Sequence, residues 1–231
     1  MKYRVKFSKN GPIKYIGHLD VMRYFQKAIR RAQLPIKYSE GFSPHQILSF
    51  AFPLSVGYTS SGEYFDMEMT EQVNETEMME ALNSVMNEGI LVENVKQLPE
   101  KSGNCMALVF AAKYTVKFKS NIELPVNFCK STVDFFSQST IPVNKTQKKG
   151  GKTVEIDLKE FLYDYQITDN CEVSFTVNAS SSDNIRPSFV IDCLLNYINF
   201  NVAEHSYYVH RDEIYANLSS DGIDLISLLE V

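Results

Sequence analysis

The sequence lacks the long apolar run that a membrane-spanning helix requires. None of its 231 residues lies in a stretch that approaches about 18 consecutive apolar side chains. The opening residues, MKYRVKFSKNG, alternate between polar and apolar side chains and contain no apolar block like that of a signal peptide. We therefore expect a cytoplasmic protein that makes no contact with a membrane.

Cysteine is scarce and scattered along the chain. The four cysteines are separated from one another by more than twenty residues, so the sequence contains no CxxC pair and no three-cysteine cluster motif. We expect Cys105, Cys129, Cys171 and Cys193 to be reduced and mostly buried, and we expect no metal and no cofactor.

Glycine and proline are also few, yet they concentrate in one segment. The chain has ten glycines and eight prolines, and residues 34–66 hold six of them, at Pro35, Gly41, Pro44, Pro53, Gly57 and Gly62. Glycine permits backbone conformations that other residues resist, and proline fixes one. We interpret residues 38–45, YSEGFSPH, as a shaped loop that is better suited to recognition than to stability.

Charge is distributed unevenly along the chain. Residues 1–50 carry ten lysines and arginines against two acids, a net charge of +8, whereas the remainder carries thirteen basic and twenty-six acidic residues, a net charge of −13. Such asymmetry is typical of a protein with a part that binds polyanions. Ordinary solvated lysines and arginines would give the same composition.

Hydrophobic periodicity predicts a β-α-β-β-α-β order in the first hundred residues. Residues 2–8 alternate like a half-buried strand, and residues 17–33 have helical spacing that Leu34-Pro35 stops. Two short strands joined by a turn, a helix capped by Asn74 and a final strand follow, at residues 46–54, 63–69, 74–87 and 90–98. This order is that of a ferredoxin-like domain.

The second half repeats the order loosely. We predict a strand, a helix, a hairpin around the turn KKGG, a strand, a helix and a last strand, at residues 108–118, 127–137, 141–158, 171–179, 187–199 and 206–210. The fold class is therefore α+β, with two tandem ferredoxin-like domains at residues 1–100 and 106–231, joined by a polar connection.

The helix predicted at residues 17–33 carries a row of basic side chains opposite its apolar face. Arg23, Lys27, Arg30 and Arg31 form this row. Such a row can neutralise phosphates, while Tyr38 and Phe42 in the neighbouring loop could stack on unpaired bases. We predict that these residues, with His45, bind RNA. A solvated helix face whose arginines pair with acidic residues elsewhere in the chain is the alternative.

His18 and Asp20 stand at the start of this helix, and three interpretations of them stay open. Asp20 complements the helix dipole and His18 could simply cap or pack. If His18 and His45 meet, they could act as acid and base in metal-free cleavage of RNA. Together with Asp20 they could instead bind a metal. Sequence spacing does not choose among these, and we name no catalytic residue unless the protein is an enzyme, in which case His18 and His45 are the candidates.

One segment of the chain resembles a bacterial radical-SAM-linked family of unknown function. This segment is KYIGHLDVMRYFQKAIRRAQLPIKYSEGFSPHQILSFAFPLSVGYTSSGEYFD. The matches to the family pattern are His18, Leu19, Asp20, Arg30, Arg31, Ala32, Leu34, Pro35, Tyr38, Ser39, Gly41, Phe42, Pro44, His45 and Glu63. Gly17, Ser43 and Gln46 depart from it, since the family usually has serine, asparagine and proline there. The ending HRDEIY, residues 210–215, also resembles the family.

The resemblance implies a partner and no activity. Members of that family are encoded beside, or fused to, B12-binding radical SAM proteins, so a radical SAM protein is the implied partner. This chain has no CxxxCxxC triplet to hold that partner's cluster. We therefore expect a non-catalytic accessory protein that binds RNA and works with a radical SAM enzyme in RNA modification. The alternatives are a metal-independent endoribonuclease resembling those that process CRISPR repeats, and a module for protein interaction only.

Overall fold

A computed structural model describes residues 1–146, 151 and 153–231. The chain divides into two compact units: the first combines Met1–Phe110 with His210–Val231, and the second is Ala111–Val209. The predicted ranges 1–100 and 106–231 differ from this division, because the last twenty-two residues belong with the first unit. Both units mix helices and strands, so the α+β class is confirmed.

The first unit contains the predicted β-α-β-β-α-β order. Its elements in chain order are β1 (Lys2–Lys9), a 3₁₀ helix (Gly11–Tyr15), α1 (His18–Arg31), β2 (Leu48–Phe50), β3 (Thr59–Glu68), α2 (Glu75–Ser84), β4 (Ile90–Leu98), the short α3 (Cys105–Leu108), and, after the second unit, β10 (Tyr207–Asn217) and β11 (Leu225–Ser227). The first three residues of β10 belong to the second unit. The predicted turn before residue 63 is wrong in part, since Thr59–Gly62 already belongs to β3.

The strands of the first unit form a mixed sheet. β1 lies between β4 and β3 and is antiparallel to both, and β2 pairs antiparallel with β3. β10 runs parallel to β3 where His210 faces Thr59 and Arg211 faces Ser60. β11 pairs antiparallel with the end of β10.

Helix α1 packs its apolar face on this sheet. Val21, Phe25, Ala28 and Ile29 are buried, as the helical spacing predicted. The ring centroids of Phe25 and Phe7 lie 4.6 Å apart, in an edge-on contact that aromatic pairs favour. The helix ends after Arg31 because Gln33 adopts a positive φ of 54°, a conformation that does not continue a right-handed helix.

The face of β1 that carries Lys2, Arg4 and Lys6 is less exposed to solvent than its sequence indicated. The alternation of Lys2, Arg4 and Lys6 suggested a solvent-facing row, but Arg4 is completely buried. Its guanidinium pairs with Asp66, with Nε 2.8 Å from Oδ1, and donates to the carbonyl of Leu228 at 2.6 Å. The C-terminal segment therefore covers part of this face, and a buried cation persists there because its charge and hydrogen bonds are satisfied.

The second unit follows the predicted order with one additional strand. Its elements are β5 (Ala111–Phe118), α4 (Phe128–Ser137), β6 (Pro142–Thr146), β7 (Thr153–Asp157), a 3₁₀ helix (Leu158–Phe161), β8 (Leu162–Ile167), β9 (Val173–Asn178) and α5 (Pro187–Tyr197). β9 pairs antiparallel with both β5 and β8, and β6 and β7 form a separate hairpin. The KKGG turn predicted at residues 148–151 lies outside the described residues, apart from Gly151.

The cysteines require a correction, because two of the four form a disulfide. Cys129, near the start of α4, is bonded to Cys171, which precedes β9, and their Cα atoms lie 5.5 Å apart. The sequence alone did not predict this disulfide, since forty-two positions separate the two cysteines. Cys105 and Cys193 are thiols. Burial raises the pKa of the Cys105 thiol to about 12, which makes it a poor nucleophile at neutral pH.

No helix in the described part of the chain combines the length and the apolar character needed to cross a bilayer.

Candidate functional site

The exposed face of α1 carries the four basic side chains predicted from the sequence. Arg23, Lys27, Arg30 and Arg31 are all exposed. Arg23 forms a surface ion pair with Asp20 at 3.2 Å, and both side chains are more than half exposed. Such an exposed pair contributes at most about 1 kcal/mol, so Arg23 can exchange Asp20 for another anion at little cost.

The two remaining arginines of the row are oriented by backbone carbonyls. Arg30 Nε donates to the carbonyl of Gln26 at 3.3 Å, and Arg31 Nη2 donates to the carbonyl of Val85 at 2.9 Å. Neither guanidinium has a carboxylate partner among the described residues. The row therefore presents positive charge to solvent, which is the electrostatic condition for phosphate binding.

Residues 38–45 form a loop that is closed at its base by hydrogen bonds. The Ser39 N–H donates to the His45 carbonyl at 2.8 Å, and the His45 N–H donates to Ser39 Oγ at 3.1 Å. The His45 ring also lies 2.9 Å from Ser39 Oγ through Nδ1. These contacts give His45 a structural role in closing the loop, while its ring stays exposed.

The tip of this loop presents an aromatic ring to solvent. Gly41 has a φ of 107°, which only glycine adopts readily, and Phe42 after it is fully exposed. Tyr38 at the base is 45% exposed. A fully exposed phenylalanine on a closed loop gains nothing from packing, so the loop holds an apolar ring where a ligand could reach it.

Gln46 joins the loop to α1. Its side chain is buried, and Nε2 donates to the carbonyl of Gln26 at 3.2 Å, the same carbonyl that Arg30 contacts. Tyr38 and Gln46 also form an isolated β-bridge. The loop therefore lies beside the middle of the basic row on α1. The loop and the basic row form one surface. We call Arg23, Lys27, Arg30, Arg31, Tyr38 and Phe42 the α1–loop surface.

A small cavity lies at the N-terminal end of α1. Its apolar walls come from Phe7, Val21, Phe50, Phe52 and Leu54, and its polar groups are Lys9, His18 and Glu63. The cavity has room for roughly one water molecule. Its polar groups converge on this space, which is far too small for a drug-sized ligand.

Two buried cations and one buried carboxylate lie at this cavity. Arg211 donates to both oxygens of Glu63, with Nε 2.8 Å from Oε1, and its Nη2 also donates to the Phe52 carbonyl at 2.8 Å. Lys9 Nζ donates to the carbonyl of Ile16 at 2.8 Å. These bonds fix the segment before α1 and the segment after β2, and the latter lines the cavity with Phe52 and Leu54.

His18 is held neutral by this environment. Burial lowers the pKa of its imidazole; Glu63 opposes that shift and the positive charges of Arg211 and Lys9 add to it. The imidazole packs edge-on against the Phe50 ring, with centroids 5.5 Å apart. Neither ring nitrogen has a hydrogen-bond partner within the described residues, so a donor and an acceptor are available.

The predicted site residues therefore lie in two places. His18 lies at the cavity, whereas His45 closes the loop and is absent from the cavity lining. Asp20 pairs with Arg23. In the part of the chain that the structure describes, no three histidine, cysteine or acidic side chains come together as a metal site, which leaves the metal alternative for His18, His45 and Asp20 without structural support.

Sequence reasoning missed most of the cavity. Lys9 was counted only among the ten basic residues of positions 1–50, and Arg211 was assigned no role. The available signals were the family matches at His18 and Glu63 and the ending HRDEIY, which contains Arg211. Glu63 and Arg211 are separated by 148 positions and meet only because β3 and β10 run side by side.

Comparison with known families identifies the chain. A model of a family described as "Uncharacterized protein conserved in bacteria (DUF2344)" matches residues 2–187. The chain belongs to the DUF2344 family. That membership agrees with the resemblance to a bacterial family of unknown function, and it assigns no activity to this DUF2344 protein.

Other comparisons add little to the DUF2344 assignment. No curated protein matches the chain. Among solved structures, one similar chain belongs to "Crystal Structure of a Cbf5-Nop10-Gar1 Complex", with 11% sequence identity and a TM-score of 0.45. The match covers 92% of this DUF2344 chain and 48% of the other, so the chain spans about half the length of that neighbour. A likeness this distant carries no argument about function.

Proposed function

We propose that this DUF2344 protein is an accessory protein that binds RNA through the α1–loop surface. One observation carries the proposal: four exposed cationic side chains on one helix face adjoin a closed loop with a fully exposed phenylalanine, and Gln46 joins the two. Arginine and lysine neutralise phosphates, and aromatic rings stack on unpaired bases. The combination suits single-stranded RNA better than either element alone would.

The dimensions of the basic row suit a nucleic-acid strand. Arg23 and Arg31 are eight residues apart, which corresponds to about 12 Å along a helix axis. That length matches a short stretch of an extended single strand, and the loop beside Gln26 lies between the ends of the row. RNA bound there would therefore present a base to Phe42 or Tyr38.

The partner part of the proposal depends on the family resemblance alone. The motif segment around α1 resembles proteins encoded beside or fused to B12-binding radical SAM proteins, so we propose that a radical SAM enzyme receives the bound RNA for modification.

We further propose that each unit is a ferredoxin-like domain. The antiparallel pairings β4-β1-β3-β2 support this for the first unit. In the second unit the same chain order results if the hairpin β6–β7 is an insertion, β8 is the second strand and the start of β10, residues 207–209, is the last strand. The pairings of β9 with β5 and β8 support that interpretation.

The endoribonuclease alternative has weaker support than RNA binding. It needs His18 and His45 to act together on one phosphate, but His18 faces the cavity and His45 closes the loop. Metal-free cleavage of a defined RNA that disappears in both His18→Ala and His45→Ala would nevertheless replace the accessory proposal. The interaction-module alternative is supported if the α1–loop surface binds no RNA.

Ultraviolet crosslinking tests the proposal directly. RNA crosslinked to the protein in cells is sequenced, and the crosslinked peptides of the purified protein are identified by mass spectrometry. We expect the crosslinks to fall on residues 38–45 and on α1. Failure to recover RNA above the background of an unrelated protein, or crosslinks confined to Ala111–Val209, would contradict the proposal.

A further inference from the structure

An exposed tyrosine stands just before the N-terminal end of α1. Tyr15 is the last residue of the 3₁₀ helix, and only Ile16 and Gly17 separate it from the first residue of α1. The residue is 66% exposed, so its ring is not part of the hydrophobic core. An exposed aromatic ring offers apolar faces that another flat ring can cover.

Hydrogen bonds hold the backbone on both sides of Tyr15. The carbonyl of Lys14 accepts from the Gly57 N–H at 2.9 Å. The carbonyl of Ile16 accepts from the ammonium of the buried Lys9 at 2.8 Å. The ring is therefore presented from a fixed segment of backbone, and little further ordering of that segment is required when a ligand covers the ring.

A cation accompanies the Tyr15 ring. Lys14 Nζ lies 5.2 Å from the centroid of that ring, within the distance at which an ammonium is attracted to an aromatic face. Proteins that bind single-stranded nucleic acid combine these two groups, since the ring stacks on a base and the cation attracts the phosphate backbone.

Leu19 continues the basic row of α1 towards this end of the helix. Leu19 lies four residues before Arg23, and Arg23 lies four residues before Lys27, so each is the neighbour of the next along the helix surface. Leu19 is 64% exposed. The row of cations therefore gives way to exposed apolar side chains at its N-terminal end, where a base is a better ligand than a phosphate.

We propose that Tyr15 stacks on an unpaired base of the RNA held on the α1–loop surface, and that Leu19 contacts the same strand. The inference rests on the proposed function and adds a second stacking position to that of Tyr38 and Phe42. RNA suits this end of α1 better than a protein partner because cations border the apolar side chains, with Lys14 at Tyr15 and Arg23 one turn after Leu19. The expected ligand is a single strand with unpaired bases, because a duplex hides the faces of its internal bases.

Tryptophan fluorescence tests the contact at Tyr15. The chain contains no tryptophan, so Tyr15→Trp introduces a single indole at the proposed position. Stacking of a base on an indole quenches its emission. The full chain with this substitution is titrated with a single-stranded RNA of mixed sequence, and we expect saturable quenching.

Tyr208→Trp is the matched control for this titration. Tyr208 is 51% exposed, and Lys119 Nζ lies 5.3 Å from the centroid of its ring, so it has the same combination of ring and cation. It belongs to the second unit, to which we assign no RNA contact. Tyr208→Trp should therefore show no quenching.

Affinity measurements distinguish stacking from a structural role of Tyr15. Tyr15→Ala should weaken binding of the same RNA by roughly fivefold to a hundredfold, as loss of one stacked base does. The slope of log affinity against log salt should stay unchanged, because no charge is removed. Tyr15→Phe keeps the ring and should bind like the wild type. Urea unfolding verifies that each variant is folded.

The outcomes separate this site from the proposed function. If the wild type binds RNA, absence of quenching in Tyr15→Trp or full affinity in folded Tyr15→Ala overturns the site and leaves the α1–loop surface in place. Equal quenching in Tyr15→Trp and Tyr208→Trp overturns it as well, since a ring beside a lysine would then be sufficient. If the wild type binds no RNA, this inference and the proposed function fail together, and the exposed side chains of Tyr15 and Leu19 belong to a surface for a protein partner.

Discussion

At the scale of single residues, the basic side chains near the N-terminus have two different environments. Arg4 and Lys9 are buried, whereas Arg23, Lys27, Arg30 and Arg31 are exposed. The buried ones stabilise the fold through Asp66 and through backbone carbonyls, because an unpaired buried charge would cost several kcal/mol. Only the exposed ones can meet an external phosphate.

Phe42 provides a test of the loop at this scale. The ring is fully exposed, so Phe42→Ala should change the free energy of unfolding by no more than about 0.5 kcal/mol. It should nevertheless cost about 1 to 3 kcal/mol of RNA affinity, because stacking on a base is lost. Urea unfolding and fluorescence anisotropy with a single-stranded RNA measure the two quantities.

Val126→Ala is the control for Phe42→Ala. Val126 is an equally exposed apolar residue of the second unit, and its removal should affect neither stability nor RNA affinity. A loss of affinity in Val126→Ala equal to that in Phe42→Ala would contradict a specific role for the loop.

His18 predicts a pH dependence of stability. Because its pKa in the folded protein is below the ordinary value of 6.5, the unfolded chain binds more protons than the folded chain between these two values. The stabilisation from neutral His18 is therefore fully present above about pH 6.5 and is lost as the pH falls through the folded pKa. His18→Gln removes this contribution.

Urea unfolding at several pH values between about 5 and 8 measures this difference. On acidification, the wild type should lose more stability than His18→Gln, since other titrating groups are common to both proteins. Parallel curves for the two proteins would show that the cavity does not disfavour the imidazolium.

At the scale of elements, the parallel contact of β3 with β10 requires a glycine. A Cβ atom at Gly62 would lie 2.5 Å from the Cα of Glu213 and 2.6 Å from the carbonyl oxygen of Asp212. Both are backbone atoms that cannot move aside without shifting β10. The pairing that brings Arg211 to Glu63 therefore depends on this close approach.

Gly62→Ala should destabilise the protein by about 1 to 3 kcal/mol, as overpacking of a well-packed interior does. Gly17→Ala is the matched control, because a Cβ there would meet no atom within 4 Å. Urea unfolding compares the two variants, and equal midpoints would contradict the close packing of β3 against β10.

The longer helices and several strands were predictable from local sequence, while β8 and most of β10 were not. The apolar spacing of α1 and the cap at Asn74 concern residues within a few positions, and Asn74 does accept from the backbone of Thr76 and Glu77. β8 was missed although Tyr163, Tyr165 and Ile167 alternate with the exposed Asp164 and Gln166, a pattern that the sequence analysis did not use. β10 was predicted to end at residue 210, but it extends to Asn217 because β3 and β11 pair with it.

At the scale of the whole molecule, the first fifty residues expose less positive charge than their net charge of +8 indicated. Several basic residues of the first fifty have acidic partners later in the chain: Lys2 and Arg4 with Asp66, Lys6 with Glu213, and Lys37 with Glu68. Counting charges along the sequence cannot reveal such pairs. The positive charge left for a partner is concentrated on α1.

One part of the candidate site could be predicted from the sequence and the other could not. The α1–loop surface consists of residues close in sequence, so spacing and loop composition identified it. The cavity combines residues from β1, α1, β2 and β3, and no local pattern in the sequence brings Lys9, Glu63 and Arg211 together. The disulfide between Cys129 and Cys171 was missed for the same reason.

The salt dependence of RNA binding tests the central claim most directly. RNA affinity is measured by anisotropy over a range of salt concentrations for the wild type, for Arg30→Ala/Arg31→Ala and for Lys101→Ala/Lys130→Ala, which removes two exposed charges outside the α1–loop surface. If Arg30 and Arg31 each neutralise one phosphate, their removal should weaken binding and flatten the slope of log affinity against log salt by roughly 1.4. The control should retain the wild-type slope. A folded Arg30→Ala/Arg31→Ala protein with unchanged affinity and slope would contradict the account.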